Sequence, residues 1–359
     1  MINKISIHAL KSINDLEVKC SNFTIFVGTN SSGKSSIIQS LLLLAQNIPG
    51  NYSYGLNGPL VKLGKYSDVF SNYSSKKNQS IEITADINSD NQGSVSLNID
   101  NKDEIDNLDI SSKSNISSSE LVSLTLYKNF YYLSCNRIGV QDIYENKSDG
   151  NDKFGIDGRY SFGYLLSHKN DILSKNLIMS DKSNTLLAQV NYWLRYIVDA
   201  DMTVEPVSNV NKVKVMYSMG DEQRFRNPIN VGSGLSYLAS ILIMCLASEE
   251  KSTIVIENPE IHLHPAAQSK LVEFLYTISL TGRQIFVESH SDHFFNGIRA
   301  GIATEKMNLE NISVNFIYKE RDAATNCEKI EFGKRGRINN PKKDLFDQFD
   351  IDLNRMLGL

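Results

Sequence analysis

The chain has 359 residues, of which 41% are hydrophobic and 22% charged, and its formal net charge is −4. This composition is typical of a globular protein with a large core, and the length alone predicts about two domains. Because the net charge is slightly negative, the protein as a whole does not attract nucleic acid. Binding of nucleic acid would need local basic patches.

Cysteine usage and hydropathy predict a compartment. The four cysteines are scattered and form no C-x-x-C pair, which indicates thiols in a reducing environment. The N-terminus has no signal-peptide pattern, and the longest apolar run, residues 238–247, is too short to span a bilayer. We therefore expect a cytoplasmic protein with no membrane partner.

Three strands are predicted at the start of the chain. Apolar and polar residues alternate over residues 4–9, a second short strand is predicted over 16–18, and the β-branched run 23–27 predicts a buried third strand. We expect these three strands to form one small mixed sheet.

The loop after the third strand carries the strongest signal in the sequence. It fits G-x-x-x-x-G-K-[ST], the phosphate-binding P-loop, and lies between the strand and a helix predicted over residues 37–46. Its N–H groups and the helix dipole would form an anion cradle, Lys34 would reach the β- and γ-phosphates, and the Ser35 hydroxyl would bind Mg²⁺. The chain is therefore predicted to bind a nucleoside triphosphate through Gly28, Thr29, Asn30, Ser31, Ser32, Gly33, Lys34, Ser35 and Ser36.

Polar residues dominate residues 72–119. Two alternating runs, 81–85 and 95–99, predict exposed strands of a meander, and residues 102–118 predict a mobile loop. Further elements are predicted after this stretch: strands at 121–126 and 130–133, a helical region over 158–200 that contains the single tryptophan, and a hairpin of strands at 202–204 and 213–216.

Two apolar strands in the second half of the chain end in polar side chains. Residues 252–257 end in Glu257, and His290 follows a strand over 284–288. Because ligands of open α/β sheets bind at the carboxyl ends of strands, Lys34, Glu257 and His290 are predicted to share one pocket. Glu257 would hold Mg²⁺ opposite the P-loop hydroxyl. The role of Arg137, at another strand end, stays open between nucleotide contact and a structural ion pair.

A second Gly/Ser-rich loop, residues 230–237, opens the apolar helix at 238–247. It predicts a second anion site at a helix N-terminus. One chain has no obvious need for two phosphate cradles. We therefore expect a homodimer, or a higher oligomer of dimers, in which each second loop caps the partner's nucleotide.

Together these motifs resemble the ABC-type ATPase heads of SMC and OLD proteins, and most closely the small bacterial AAA-type ATPases that carry a domain called DUF3696. The resemblance covers essentially the whole chain and is weakest between residues 72 and 130. It rests on the P-loop, on Val231-Gly232-Ser233-Gly234-Leu235-Ser236, on residues 256–265 and 287–293, and on the closing segment with Arg337-Ile338-Asn339-Asn340-Pro341 and Leu345-Phe346-Asp347.

The resemblance implies an α/β P-loop ABC-type ATPase head with an N-terminal antiparallel β lobe and an inserted helical and β region. The implied division has four segments. They are an N-terminal half of the head (1–135), an inserted helical and β region (136–225), a C-terminal half of the head (226–304) and a DUF3696-like appendix (305–359). The implied function is a switch that binds and hydrolyses ATP with Mg²⁺. It would control a separate effector, for example a nuclease, or a nucleic-acid interaction, in bacterial anti-phage defence.

The resemblance also implies roles for single residues. Ser233 to Ser236 would complete the partner's site, His290 would lie near the γ-phosphate, and His264 would face the partner chain. ABC heads usually carry Glu where this chain has Asn258, and an amide orients water but accepts no proton. Either Glu260 or His290 substitutes, or hydrolysis is slow. Two alternatives follow: an ATP-binding scaffold with little hydrolysis, and a metal-dependent OLD-like nuclease.

Three other patterns have two interpretations each. His262, His264, His290 and His293 match a zinc site weakly, and we favour a nucleotide pocket and a dimer contact. The basic residues of segment 333–343 predict a solvated loop more than a phosphate contact. The D-x-D at 350–352 is interpreted as helix-surface charge, so we expect no nuclease domain in this chain.

Overall fold

The computed structural model describes residues 1–48, 53–74, 80–87, 93–101, 108–117, 121–124, 126, 128–146, 152–179, 183–222 and 224–358. The chain forms two compact units. Unit 1 comprises Met1–Thr125, Glu288–Asp292 and Arg299–Leu359, and unit 2 comprises Leu126–Val287 and His293–Ile298. The four-segment division expected from the sequence stays a prediction.

The first sheet of unit 1 is antiparallel and has five strands in the order β2-β1-β4-β5-β6. Alternate residues such as Ile5, Ile7, Ile83 and Leu97 are buried on one face, which is why the period-2 pattern of the sequence located these strands. The predicted antiparallel N-terminal lobe is therefore present. Its strands are β1 (Ile2–His8), β2 (Asp15–Lys19), β4 (Ser80–Ile87), β5 (Gly93–Asn101) and β6 (Leu108–Ser114).

A second group of strands in unit 1 contains β3 (Phe23–Gly28). It lies parallel to β13 (Ile312–Lys319), which pairs antiparallel with β14 (Thr325–Lys329). The expectation that β3 joins the first two strands in one sheet is wrong. Phe23 to Val27 are all buried, so β3 needs cover on both faces, whereas β1 and β2 have one exposed face.

Unit 1 also contains helices. These are α1 (Lys34–Gln46), which follows β3, the short α2 (Tyr66–Val69) and α8 (Gln348–Leu357) near the end of the chain. The D-x-D motif lies on α8, as the helix-surface interpretation required.

Two sequence predictions in the polar region are wrong. Residues 108–114 form β6, which pairs with β5, instead of a mobile loop. An edge strand is held by main-chain hydrogen bonds, so its polar side chains gave no signal. Residues 121–126 were expected as a strand, but Val122–Leu124 form a 3₁₀ turn, because a run of six residues is too short to fix a period. Residues 102–107 and 118 of the predicted loop lie outside the described residues.

Unit 2 contains two groups of strands. The predicted hairpin is present: β9 (Ala200–Pro206) and β10 (Lys212–Met219) pair antiparallel, with β8 (Ile143–Glu145) on the other side of β10. In the other group, β7 (Phe130–Leu133) and β11 (Thr253–Glu257) pair in parallel. The strand β12 (Gln284–Glu288) begins beside β11, where the Gln284 N–H donates to the Ser252 oxygen at 2.9 Å.

The helical region predicted over 158–200 is interrupted. It consists of α3 (Ser161–His168), a 3₁₀ turn at Lys175–Leu177 and α4 (Leu186–Val198). Three further helices follow: α5 (Gly234–Ala247), α6 (Pro265–Ser279) and α7 (Asp292–Ala303). Buried residues occur all round α5, so it forms part of the core. Among the described residues, every helix falls short of the length or apolarity needed to cross a membrane.

Candidate functional site

The P-loop joins β3 to α1, and two glycines allow its path. Gly28 has a φ of +146°, and a Cβ there would lie 1.9 Å from the main-chain oxygen of Ile317 on β13. Gly33 has a φ of +109°, and a Cβ there would lie 2.5 Å from Thr325 Oγ1. Other residues would be strained at both positions and would collide with their neighbours. Both glycines of the motif are therefore required by the fold.

Lys34 is the first residue of α1 and is only 3% exposed. Its Nζ donates hydrogen bonds to the main-chain oxygens of Gly28 at 3.0 Å and Thr29 at 2.7 Å. The ammonium group is therefore held within the curve of the loop, where it faces the space that the loop encloses.

Thr325, the first residue of β14, contacts the P-loop. Its Oγ1 donates to the main-chain oxygen of Ser32 at 2.9 Å and lies 2.8 Å from Ser12 Oγ. No sequence motif indicates a role for Thr325, because it is a single threonine in a polar strand. The hydroxyl fixes the part of the loop that precedes α1.

Glu288 is a second residue that the sequence analysis did not assign. Its Oε1 accepts a hydrogen bond of 2.9 Å from Ser35 Oγ and lies 3.6 Å from His290 Nε2. The segment is fixed beside β3, since the Ser289 N–H donates to the Phe26 oxygen at 3.0 Å. The sequence contained a signal for Glu288, a carboxylate at a strand end two residues before His290, but only the histidine was chosen.

These side chains line one cleft of unit 1. The cleft has a volume of about 350 Å³, within the range of roughly 300–1,000 Å³ that is usual for small-molecule sites. The structure therefore brings together Lys34, Ser35 and His290, as the sequence predicted. The lining residues are Ser12, Asn30, Ser31, Ser32, Gly33, Lys34, Ser35, Ser36, Glu288 and His290.

Glu257, the acid predicted to bind Mg²⁺, lies at the end of β11 in unit 2. Its Oε2 accepts a hydrogen bond of 3.0 Å from the Cys135 N–H. Arg137 donates to the main-chain oxygens of Glu257 and Asn258, both at 2.6 Å, and is 5% exposed. Burial lowers the pKa of Arg137 to about 10. The structure thus shows a structural role for Arg137, through hydrogen bonds to main-chain oxygens instead of the ion pair considered above.

Asn258, which follows β11, has an unusual main-chain conformation. Its φ is +43°, a region in which asparagine is less strained than most residues. Its Oδ1 is buried and has no hydrogen-bond partner among the residues that the structure describes. Glu260 follows two residues later and is half-buried. Asn258 and Glu260, two of the three positions predicted to act on water, therefore lie in the turn after β11.

The second Gly/Ser loop precedes α5 in unit 2. Gly232 and Ser233 are exposed, whereas Ser236 is buried and accepts a hydrogen bond of 3.1 Å from the Tyr144 hydroxyl. Gly234 permits a close approach, since a Cβ there would lie 2.4 Å from the His262 oxygen. Ser233 is thus open to a ligand, and Ser236 stabilises the start of the helix. The phosphate contacts of Ser233, Gly234 and Ser236 stay predictions.

The histidines do not form a described metal site. His262 packs against Tyr237, with ring centroids 4.7 Å apart, and His264 Nδ1 accepts the Ala266 N–H at the start of α6. Both belong to unit 2 together with His293, whereas His290 belongs to unit 1. Within the described ranges, no group of three or more His, Cys, Asp or Glu side chains is placed to hold a metal ion. The zinc interpretation gains no support.

The sequence of this chain matches a known protein family. Residues 23–296 match the family described as "AAA domain, putative AbiEii toxin, Type IV TA system". The chain belongs to this AAA-domain family. The match includes the P-loop, Glu257 and His290.

A shorter similarity connects the AAA domain to a phage protein. Over 158 residues the chain is 28% identical to the Old nuclease of Escherichia phage P2. This segment is 40% of the chain but only 26% of the nuclease, so the chain matches about a quarter of that protein's length. The predicted relationship to SMC- and OLD-like ATPases is confirmed. The finer likeness to DUF3696-containing ATPases stays a prediction.

Solved structures of SMC heads have the same fold. An SMC head bound to the C-winged helix domain of ScpA has a TM-score of 0.56 at 13% identity and covers 92% of this chain and 98% of its own. The SMC head domain from Thermotoga maritima has 0.50 at 11%, covering 92% and 99%. An Smc head with an extended coiled coil, bound to the C-terminal domain of ScpA from Pyrococcus furiosus, has 0.56 at 10%, covering 100% and 99%. The chain thus has the fold of these SMC heads, in agreement with the predicted fold class.

Proposed function

We propose that this chain is an ATP-hydrolysing switch that dimerises around ATP·Mg²⁺ and controls a partner. The observation that carries the proposal is the cleft of unit 1, in which the P-loop, Lys34, Ser35 and His290 face one space. Membership of an AAA-domain family and the ABC-type fold support nucleotide binding and hydrolysis.

The residues of the cleft fit a nucleoside triphosphate with Mg²⁺. Loop N–H groups at the start of a helix bind phosphate oxygens, and Lys34 adds a positive charge beside them. The Ser35 hydroxyl, with Glu257 as the proposed acid, provides oxygen ligands of the kind that Mg²⁺ prefers. A bound Mg²⁺ would neutralise charge on the phosphates.

The proposed chemistry is attack of water on the γ-phosphate. His290, at the cleft, would donate a hydrogen bond to that phosphate and stabilise its developing charge. The amide of Asn258 would orient the water but accept no proton, so Glu260 or His290 would accept it. We therefore expect slow turnover compared with heads that have a glutamate at this position.

The second Gly/Ser loop is the basis for the proposed dimer. Gly232 and Ser233 are exposed before α5, a 14-residue helix whose N-terminus favours anions. We propose that this loop caps the nucleotide of a second copy. ATP would then close the dimer, and hydrolysis would open it.

The proposed partner is a separate effector protein, or nucleic acid. Two of the similar SMC heads are bound to domains of ScpA, which supports a head that a second protein recognises. The family description names a toxin of a toxin–antitoxin system, and the Old nuclease is a phage protein. These relatives support a role in conflict between bacteria and phage. Asn258 favours a second candidate, an ATP-held scaffold with little hydrolysis.

ATP hydrolysis and molar mass, each with and without ATP·Mg²⁺, test the proposal. We expect the wild type to hydrolyse ATP and dimerise, Lys34→Ala to do neither, and Glu260→Gln to report whether Glu260 accepts the proton. Binding and assembly without turnover, together with faster hydrolysis by Asn258→Glu, would establish the scaffold. If the wild type neither hydrolyses ATP nor changes its molar mass with ATP·Mg²⁺, the proposed function is wrong.

A further inference from the structure

We propose that Glu288 is a ligand of the nucleotide-associated Mg²⁺ and binds it together with Ser35. The inference rests on the proposed function and adds a residue to that site. Neither the sequence motifs nor the comparisons assign a role to Glu288. It differs from Glu257, the expected acid, because it belongs to the same unit as the P-loop and is hydrogen-bonded to it.

Two side-chain oxygen atoms at the P-loop have the spacing of neighbouring Mg²⁺ ligands. Ser35 Oγ and Glu288 Oε1 are 2.9 Å apart. Mg²⁺ requires near-ideal octahedral geometry at about 2.0–2.1 Å, so neighbouring ligands in its shell lie about 2.9 Å apart. The two oxygens therefore already have the spacing of adjacent Mg²⁺ ligands. An ordinary hydrogen bond has the same length, so a second observation is needed.

That observation is the other carboxylate oxygen. Glu288 is 4% exposed, and its Oε2 is buried without a hydrogen-bond partner among the described residues. A buried carboxylate oxygen that has lost water and found no donor is costly, unless a cation binds there. His290 Nε2, at 3.6 Å, lies near the other oxygen, Oε1. The Glu288 carboxylate therefore has bonding capacity left for a cation, and Glu288 lines the cleft that contains the P-loop.

The main chain holds the Glu288 carboxylate rigidly beside the P-loop. Glu288 ends β12, and the next residue is bonded to Phe26 of β3, so the carboxylate cannot move far from the P-loop. A ligand held in place on a strand loses little entropy when the metal binds. Ser35 and Glu288 would thus hold Mg²⁺ from within one unit.

Titration of a non-hydrolysable ATP analogue with an imido bridge, with and without Mg²⁺, tests this role. Glu288→Gln keeps the shape and an acceptor for Ser35 but removes the charge. We expect it to weaken binding with Mg²⁺ by about tenfold or more, and to leave binding without metal unchanged or tighter, because a carboxylate repels phosphate when no cation lies between them. The exposed Glu331 of the same unit gives the matched control, Glu331→Gln, which should change neither titration.

Electron paramagnetic resonance of Mn²⁺ gives a second measurement without catalysis. With the analogue present, Glu288→Gln should bind less Mn²⁺ than the wild type at equal concentrations. If the variant keeps the full Mg²⁺ enhancement and binds Mn²⁺ normally, Glu288 is not a ligand, although the proposed function still holds. Equal weakening with and without metal would also overturn the role. A wild type that binds no analogue at all would instead overturn the proposed function, and this inference with it.

Discussion

Arg137 Nη2 donates a hydrogen bond of 2.6 Å to the main-chain oxygen of Asn258. A second bond, from Nη1 to the Glu257 oxygen, has the same length. Both acceptor oxygens belong to residues at the end of β11, and Asn258 has a positive φ there. The buried guanidinium therefore fixes the main chain that presents the two predicted site residues.

Arg137→Lys should lower the free energy of unfolding by about 2 kcal/mol, since an ammonium cannot reproduce the planar set of donors and leaves a buried carbonyl unpaired. ATP hydrolysis should fall as well, because Glu257 and Asn258 lose their support. Urea unfolding and a steady-state ATPase assay measure the two effects. The exposed Arg195 pairs with Asp201, and Arg195→Lys should change stability by less than about 0.5 kcal/mol. Equal effects of the two variants would contradict the role assigned to Arg137.

Gly28→Ala should prevent normal folding of unit 1. A Cβ at this position would lie 1.9 Å from the Ile317 oxygen, and the φ of +146° is unfavourable for alanine. We expect a loss of more than about 3 kcal/mol, or an insoluble protein. Gly232→Ala is the matched control, because nothing lies within 4 Å of its added Cβ. Thermal unfolding compares the two, and a stable Gly28→Ala protein would show that β3 and β13 separate easily.

Thr325→Val should weaken nucleotide binding although Thr325 lies far along the chain from the P-loop. Valine keeps the shape but removes the hydroxyl that bonds to the Ser32 oxygen. We expect a stability loss of about 1 kcal/mol and a weaker affinity for ATP, because the loop is less well fixed. Calorimetric titration measures the affinity. Thr84→Val, on β4 of the same unit, should leave affinity intact, and an equal loss in both variants would argue against a specific role for Thr325.

Glu249 should make the stability of unit 2 depend on acid pH. Burial raises its pKa, but hydrogen bonds from Lys153 and Tyr131 outweigh this and leave the pKa below its ordinary value of 4.5. A lowered pKa stabilises the folded state above pH 4.5, and this contribution disappears as the pH falls below that value. Because the side chain is 44% exposed, the contribution should be less than about 1 kcal/mol.

Glu249→Gln should therefore be less stable than the wild type at pH 7 and equally stable near pH 3. Urea unfolding at both pH values measures the difference, and Glu250→Gln gives a control at the next residue. A difference that does not shrink in acid would mean that packing, not charge, distinguishes the variant.

The elements with strong local patterns were predictable. The P-loop motif, the buried strands β11 and β12 and the helix α5 were located correctly, because a continuous apolar run or a glycine spacing identifies each one. The antiparallel lobe followed from strict alternation in residues such as Ile81, Ile83, Val95 and Leu97. In the cleft, Lys34 and His290 were expected together because both follow strand ends.

What the sequence did not reveal depends on pairing between distant segments. One neighbour of β3 is β13, which lies almost 300 positions later in the chain, and no local pattern encodes that pairing. Thr325 and Glu288 acquire their roles only through such pairing. β6 has few apolar residues, so its identity as a strand depends on main-chain bonds to β5. The role of Arg137 stayed open because one of its acceptors, the main-chain oxygen of Glu257, lies 120 positions later in the chain.

The pairing of β3 with β13 has a consequence for synthesis of the protein. The bond between Ser32 and Thr325 joins residues 293 positions apart. At a translation rate of about 5–20 residues per second, the P-loop therefore leaves the ribosome some 15–60 s before Thr325. During that interval the nascent chain carries the whole phosphate-binding motif but neither the strand nor the hydroxyl that fixes it. Nucleotide capture should thus begin only after the β13–β14 hairpin has been synthesised.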